Sequence, residues 1–433
     1  MTGVEIGLVA LAGLMTLLAL RMPVGLAMLL VGALGIAAIR PPAVMPVVAA
    51  EIFSEGTSYA LTILPLFILM GNLSGLSGMS RDLYDAANAW IGHKPGGLAS
   101  ATILGCAAFS ALSGSSLAAA LTMGRVSMPE MERYDYAPSL ATGAVAAGGT
   151  LGILIPPSAG FVIYAILTEV SIEKLFLAGV VPGIMLTALF VFAIQLSVRA
   201  RPSLAPKAAE RSNIGERLRT TGRASAMVGI IVCSIGGIYA GAFSAVEAAG
   251  VGAALAFLVA LARRALSVEG LSRAARQTLS ATGSIFLILF GAFVFKTFIA
   301  FTGIPFALVD MVEAAGLSQG VLILTVLAAL IVLGTFLDGF AILVLTVPIL
   351  QPILEASGVD MIWFGVLLVI TLEMALISPP VGMNVFVVKS LKPDLGLGTV
   401  YRGVMPFWIA MALAIAVLLV LPGTATWLPD SMS

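Results

Sequence analysis

Of the chain's 433 residues 60% are hydrophobic and 10% charged, at a mean hydropathy of +1.11; soluble globular chains run at about 45–50% apolar and about 25% charged, so a soluble enzyme is excluded. Basic and acidic residues balance at 22 each, which leaves no basic surface for nucleic acid. Two cysteines, Cys106 and Cys233, the lone His93 and the lack of a P-loop exclude a disulfide framework, a histidine-rich metal centre and nucleotide hydrolysis by this chain.

A membrane-crossing helix needs about 20 apolar residues. Such runs lie near 4–20, 22–39, 60–78, 139–167, 175–198, 226–242, 248–262, 281–301, 362–388 and 403–421. The first has no basic leader and ends in Arg21 rather than at a small-residue cleavage site, so it is expected to be retained as a span. Two further regions, about 97–124 and 318–354, are apolar but interrupted, by Phe109 to Ser116 in one and by Gly334 to Gly339 in the other. A simple span would leave that polar break in lipid, where each unsatisfied group costs several kcal/mol. A re-entrant hairpin, with its break buried in protein at membrane depth, is expected instead.

Lys and Arg collect on the cytoplasmic side of short loops. With the N-terminus outside and both interrupted regions entering and leaving on one side, 19 of the 22 basic residues fall inside. Arg40 and Lys174 fall outside, and Lys296 lies within a span. The outside carries acids such as Glu51, Glu55, Glu169 and Glu355. Both termini then lie outside.

Two halves of the chain resemble each other. Ser77-Gly78 precedes Leu83 and Asp85 at the spacing by which Thr302-Gly303 precedes Leu308 and Asp310. Leu112-Ser113-Gly114 and Leu337-Asp338-Gly339 mark the breaks, and Pro156-Pro157 and Pro379-Pro380 follow 44 and 42 residues after Leu112 and Leu337. Because the two hairpins open from opposite sides, this is an inverted repeat, the architecture of secondary transporters. The expected division is scaffold helices at 1–59, a first repeat at 60–198, a basic cytoplasmic linker at 199–225, a scaffold pair and loop at 226–279, a second repeat at 280–421 and a periplasmic tail at 422–433. The fold class expected is an all-α polytopic membrane protein, an inverted-repeat transporter with two re-entrant hairpins and two broken helices.

Proline removes a backbone donor and clashes with the preceding turn, so each pair breaks its helix. Freed carbonyls can hold a hard monovalent cation, and half-helix N-termini can hold a carboxylate. Oxygens facing a substrate are expected from Ser113, Ser115, Ser116, Thr335 and Asp338 at the breaks, with Ser158 and Asn384 following the prolines. Three charges lie within the apolar regions. Asp338 either meets a ligand or caps a helix, Glu373 orders the unwound segment or is structural, and Lys296 either pairs with a substrate carboxylate or snorkels to the interface. Arg125 is read as a positive-inside anchor.

Pro65-Leu66-Phe67-Ile68-Leu69-Met70-Gly71-Asn72, Ser113-Gly114-Ser115, Gly152-Ile153-Leu154-Ile155-Pro156-Pro157-Ser158 and Ser378-Pro379-Pro380-Val381-Gly382-Met383-Asn384 resemble the large membrane subunit of tripartite ATP-independent periplasmic (TRAP) transporters. So do Lys174 to Gly179 and Glu247-Ala248-Ala249. The chain departs from the family pattern at Ala245-Val246, where Thr-Pro is frequent. The resemblance implies sodium-driven uptake of an organic acid (a C4-dicarboxylate, sugar acid or keto acid), a periplasmic binding protein that delivers it, and a small four-helix membrane subunit. It also implies a bacterial inner membrane, both termini periplasmic, and an elevator-type movement of the hairpin domain against a fixed scaffold. It implies two sodium sites or more and no organic cofactor: one site at Ser113, Ser116, Gly149 and Gly152, the other at Gly334, Gly339, Ser378 and Met383. An intramembrane protease is excluded, since Asp338 has no partner aspartate within a span and His93 falls in a polar loop. A single-chain sodium–carboxylate symporter of related fold remains the alternative.

Overall fold

The computed structural model describes residues 2–207 and 210–432, and every regular element among them is helical. Helices α1 (Gly3–Ala19), α2 (Val24–Ile39) and α3 (Val44–Gly56) lead into a series formed by α4 (Ile63–Leu76), α5 (Met79–Ile91), α6 (Gly97–Ser113), α7 (Ser116–Arg133), α8 (Pro138–Leu154), α9 (Ala159–Thr168) and α10 (Ile172–Ala200). The pair α11 (Ile214–Tyr239) and α12 (Ala245–Ala262) separates it from a second series. That series runs α13 (Val268–Thr302), α14 (Ile304–Ala314), α15 (Gln319–Gly334), α16 (Gly339–Ala356), α17 (Met361–Ala375), α18 (Met383–Leu391) and α19 (Leu397–Val420), and α20 (Gly423–Ser431) ends the chain's helices. Eight helical stretches among the described residues are long and apolar enough to cross a membrane. The chain is a polytopic membrane protein.

The two series match element by element. A short helix starts after a left-handed glycine in each, Gly78 at φ +76° and Gly303 at φ +73°. Each proline pair sits in a gap between two helices, α8 and α9 or α17 and α18, and is joined by a cis bond. The helices that follow the gaps cross over: α9 packs on α16 and α18 packs on α7. Each repeat therefore completes the other's broken pair. Backbones come close where glycine removes the side chain, as small residues permit between membrane helices. A Cβ on Gly143 would lie 2.2 Å from the carbonyl oxygen of Gly403, which presses α8 onto α19.

Several boundaries differ from the sequence expectation for one reason. The segment 199–225 is helical from Ile214 onward, because Asn213 caps α11 and its polar first turns pack through Thr220 and Ala224. Likewise α13 starts at Val268, not near 281. Its 35 residues reach about 52 Å at 1.5 Å per residue, well beyond a hydrocarbon core of about 30 Å. The extra turns carry Arg273 and Arg276 and do not register in an apolar scan. The short helices α3, α5 and α14 and the helical tail α20, which packs on α10, escape the scan too.

Helix α5 is fastened by charge. Asp82, buried, receives Arg223 at 2.6 Å and Arg263 at 2.5 Å, joining α5 to α11 and to the end of α12. Arg263 also donates to the carbonyl of Arg223 at 2.9 Å. Removing one partner of a buried ion pair costs about 3–5 kcal/mol. Because the Arg223 side chain is 52% exposed, Asp82→Ala is expected to cost about 3 kcal/mol at most. The measurement is thermal unfolding in detergent; an unchanged transition would show that the cluster does not hold α5.

Candidate functional site

The first break is built at Ser113-Gly114-Ser115. Gly114 ends α6 in the left-handed region, φ +56°, where a side chain would be strained. Ser115 then caps α7, its hydroxyl accepting from the amide of Ala118 at 3.4 Å. This tip is pressed against the end of α8. A Cβ on Gly152 would lie 2.6 Å from the Ser115–Ser116 peptide, and one on Gly149 would lie 3.0 Å from the carbonyl oxygen of Ser116. Of the four residues assigned to one sodium site, Ser116, Gly149 and Gly152 thus meet, while Ser113 packs on Gly71 of α4, one turn back on the same break. The hydroxyl of Ser113 is buried there without a hydrogen-bond partner.

The second break runs from Thr335 to Asp338. Asp338 caps α16, one carboxylate oxygen accepting from the amides of Phe340 at 3.0 Å and Ala341 at 3.1 Å. Thr335 donates back to Val332 at 2.8 Å. Gly334 meets Ala375 closely, and Gly339 lies in ordinary contact with Leu376. Ser378 donates to the carbonyl of Met374 at 2.7 Å and accepts from the indole of Trp408 at 2.9 Å. Met383 opens α18 with a 40% exposed side chain. Gly334, Gly339 and Ser378 therefore border the α17 end.

Both breaks border one cavity of about 860 Å³, lined by α4, the first tip, α7, α13 and the start of α16. Of the residues expected to meet a substrate, Ser113, Ser115 and Asp338 line it. Ser158, Thr335, Asn384 and Lys296 do not, each for a visible reason. The Ser158 hydroxyl is fully buried, caps α9 at Phe161 and donates to the carbonyl of Ile153. The Thr335 hydroxyl is spent on its own helix. Asn384 is fully buried and directs its amide toward the carbonyl of Ala146. Lys296 donates to the carbonyl of Leu167 at 3.1 Å and lies 3.7 Å from Glu169, so it neutralises the C-terminal end of α9.

The cavity also holds groups that the sequence reading did not place there. Arg125 of α7 and Arg273 of α13 line it, and neither belongs to an ion pair among the described residues. Asp338 is the one acid among its described lining residues, and it is engaged as a cap. The signal for Arg125 was present, as a basic residue just beyond the first break, but nothing in the chain order brings it to Arg273.

Glu373 is the deepest acid, 1% exposed on α17. One of its oxygens accepts from the hydroxyl of Ser116; the other is buried without a partner. It thereby joins the second repeat's broken helix to the first repeat's tip. A void of about 10 Å³ adjoins it, lined also by Ile153, Gly160 and Gly339, about the smallest space that holds one water.

The family model for the DctM component of tripartite ATP-independent periplasmic transporters matches residues 11–424. The C4-dicarboxylate TRAP transporter large permease protein DctM of Pseudomonas aeruginosa is 34% identical over 400 residues, 92% of each chain. The sialic acid TRAP transporter large permease protein SiaM of Vibrio cholerae is 31% identical over 420 residues, 96% of this chain and 97% of that one. Among solved structures, the YdaH transporter of Alcanivorax borkumensis aligns at a TM-score of 0.56 and 16% identity over 83% of this chain and 86% of that one, a likeness of fold.

Proposed function

From the premise that the chain belongs to the DctM family of TRAP transporters, a family of membrane permeases, we propose that it carries an organic acid inward with sodium as the coupling ion. The acid arrives on a periplasmic binding protein, and a small membrane subunit completes the complex in the inner membrane, with both termini of this chain on the periplasmic face. The observation that carries the reading is the meeting of the first break with the end of α8, where the Ser115–Ser116 backbone abuts Gly149 and Gly152 and Ser113 of the same break, its hydroxyl unpartnered, lines the cavity. Neutral carbonyl and hydroxyl oxygens at broken helices suit a hard monovalent cation.

In this reading α6–α7 and α15–α16 are the re-entrant hairpins. The substrate lies in the cavity against Ser113, Ser115 and Asp338, with Arg125 and Arg273 nearer its mouth. The acid-bearing names of the two relatives and the two unpaired guanidiniums both favour an anionic substrate. Alternation is a shift of the hairpins and broken helices against a fixed set. That set contains α4 and α13 as well as α2 and α12, because α13 packs along α2 and α4 along α12.

Proteoliposomes test the coupling. Uptake in the presence of the binding protein is expected to require an inward sodium gradient, and Ser113→Leu is expected to weaken its sodium dependence at constant protein level. Undiminished uptake on a proton gradient without sodium would overturn the ion assignment. Equal uptake of free substrate by this chain alone would favour a single-chain symporter.

A further inference from the structure

Outside the central cavity, α5, α6 and α11 leave a slot of about 670 Å³ between them. It is open because the facing side chains are small: Ala86 and Ala87, Ala108, and Ala224, Ser225 and Gly229. On α11, Thr221, Ser225, Val228 and Val232 follow one another at three or four residues and share one face of the helix, which these mostly small side chains leave shallow. Val228 and Val232 at its rim are 49% and 63% exposed. The slot is thus an apolar channel running along membrane helices and open at the side.

One end of the slot is different. Trp90 stands there, 49% exposed, its indole donating to the hydroxyl of Thr221 at 3.0 Å. The Arg217 guanidinium lies over the Trp90 ring, 5.4 Å from its centre. Two of that guanidinium's nitrogens are covered by protein with no acceptor, and Arg217 has no ion pair among the described residues. Burial and the positive charges of Arg217, Arg211 and Lys94 push His93 below the usual histidine range. The charge of Arg217 is therefore left without a counter-ion at this end of the slot.

We infer that this slot binds an anionic phospholipid, its acyl chain lying between α5, α6 and α11 and its phosphate facing Arg217. Apolar length and negative charge at one end describe a lipid of the cytoplasmic leaflet, to which basic residues near the surface are drawn. Trp90, half exposed at the basic end of the slot, is of the residue type that anchors at the membrane interface. A transmembrane helix of a partner fits less well. Its cytoplasmic end carries Lys and Arg by the positive-inside bias, and these would face the unpaired Arg217. The bound lipid lies against α6, part of the proposed moving hairpin, and α11, which Arg223 ties to α5.

Phospholipids with brominated acyl chains provide the test, because bromine quenches tryptophan at contact. The full chain is reconstituted in vesicles containing brominated phosphatidylglycerol or brominated phosphatidylcholine, and the Trp90 contribution is taken as the difference between the unsubstituted chain and Trp90→Phe. Phosphatidylglycerol is expected to quench Trp90 at least about twofold more strongly at equal mole fraction. Arg217→Gln is expected to abolish that preference, and Ala86→Leu with Gly229→Leu to lower quenching by both lipids. Equal quenching by the two headgroups, or a preference that survives Arg217→Gln, would overturn the assignment. So would protection of Trp90 from both lipids on adding the small subunit, which would place a helix in the slot. The readout is independent of uptake and stands or falls apart from the sodium reading.

Discussion

Glu373→Gln is expected to raise the sodium concentration for half-maximal uptake by at least about tenfold, which corresponds to ~1.4 kcal/mol. The substitution keeps an oxygen for the Ser116 hydroxyl and replaces the second, unpartnered oxygen with a neutral NH2 group, removing the negative charge. A buried carboxylate with no cation beside it carries a penalty of several kcal/mol, and no basic residue pairs with Glu373 among the described residues. A sodium ion at the adjoining tip would offset that penalty. At an effective dielectric of about 20, two unit charges attract by roughly 4 kcal/mol at 4 Å and roughly 2 kcal/mol at 8 Å. The tenfold figure is therefore a lower bound for any position of the ion near Ser116. Glu373→Leu strands the Ser116 hydroxyl as well, and is expected to lower the thermal transition in addition to abolishing uptake. Uptake measured over graded sodium separates the two roles. If Glu373→Gln left half-saturation unchanged, Glu373 would be a structural link between repeats and no more.

That link shows what the order of residues can and cannot reveal. The breaks were legible because their chemistry is local: Gly114 ends a helix, Ser115 and Asp338 begin one, and proline pairs open the third and fourth gaps. The long spans were legible because an apolar run needs no partner to be recognised. Helices α5 and α14 were not, since they are short and are defined by the glycines before them and the bodies they rest on. The pairing of Ser116 with Glu373 spans 257 positions, and that of Asp82 with Arg263 spans 181. No spacing rule reaches so far. Lys296 stays open between two roles in the sequence for the opposite reason. A lone lysine in a span suggests a ligand, yet its partner is the exposed end of a neighbouring helix, α9, which exists only because the first proline pair broke the chain there. Ser158 and Asn384 likewise follow the breaks as expected but serve the helix ends and the packing around them, not the cavity.

A reducible tether between positions 169 and 296 is expected to stop uptake, and reduction to restore it. The two sites bracket the boundary across which the movement is proposed. Lys296 belongs to α13, which packs along α2, while Glu169 ends α9, which packs on α16 of the second hairpin. The carbonyl of Leu167 and the carboxylate of Glu169 are held by Lys296 in this conformation, and Gln351 of α16 reaches the neighbouring carbonyl of Thr168 at 3.4 Å. If the hairpins shift, α9 leaves Lys296 and returns to it once per cycle. Glu169→Cys with Lys296→Cys is joined by a short bifunctional thiol reagent rather than by a direct disulfide, because the native contact is made at the tip of a long lysine and disulfides need Cα atoms about 4.4–6.8 Å apart. Cys233, exposed, is changed to Ser in this background, and buried Cys106 is kept. The tethered chain is expected to lose at least about nine-tenths of its uptake, a tenfold effect equivalent to ~1.4 kcal/mol or more, while each single cysteine with the same reagent retains most of it. Complete cross-linking on a gel with uptake undiminished would mean that α9 and α13 travel together, and the moving boundary would have to be drawn elsewhere.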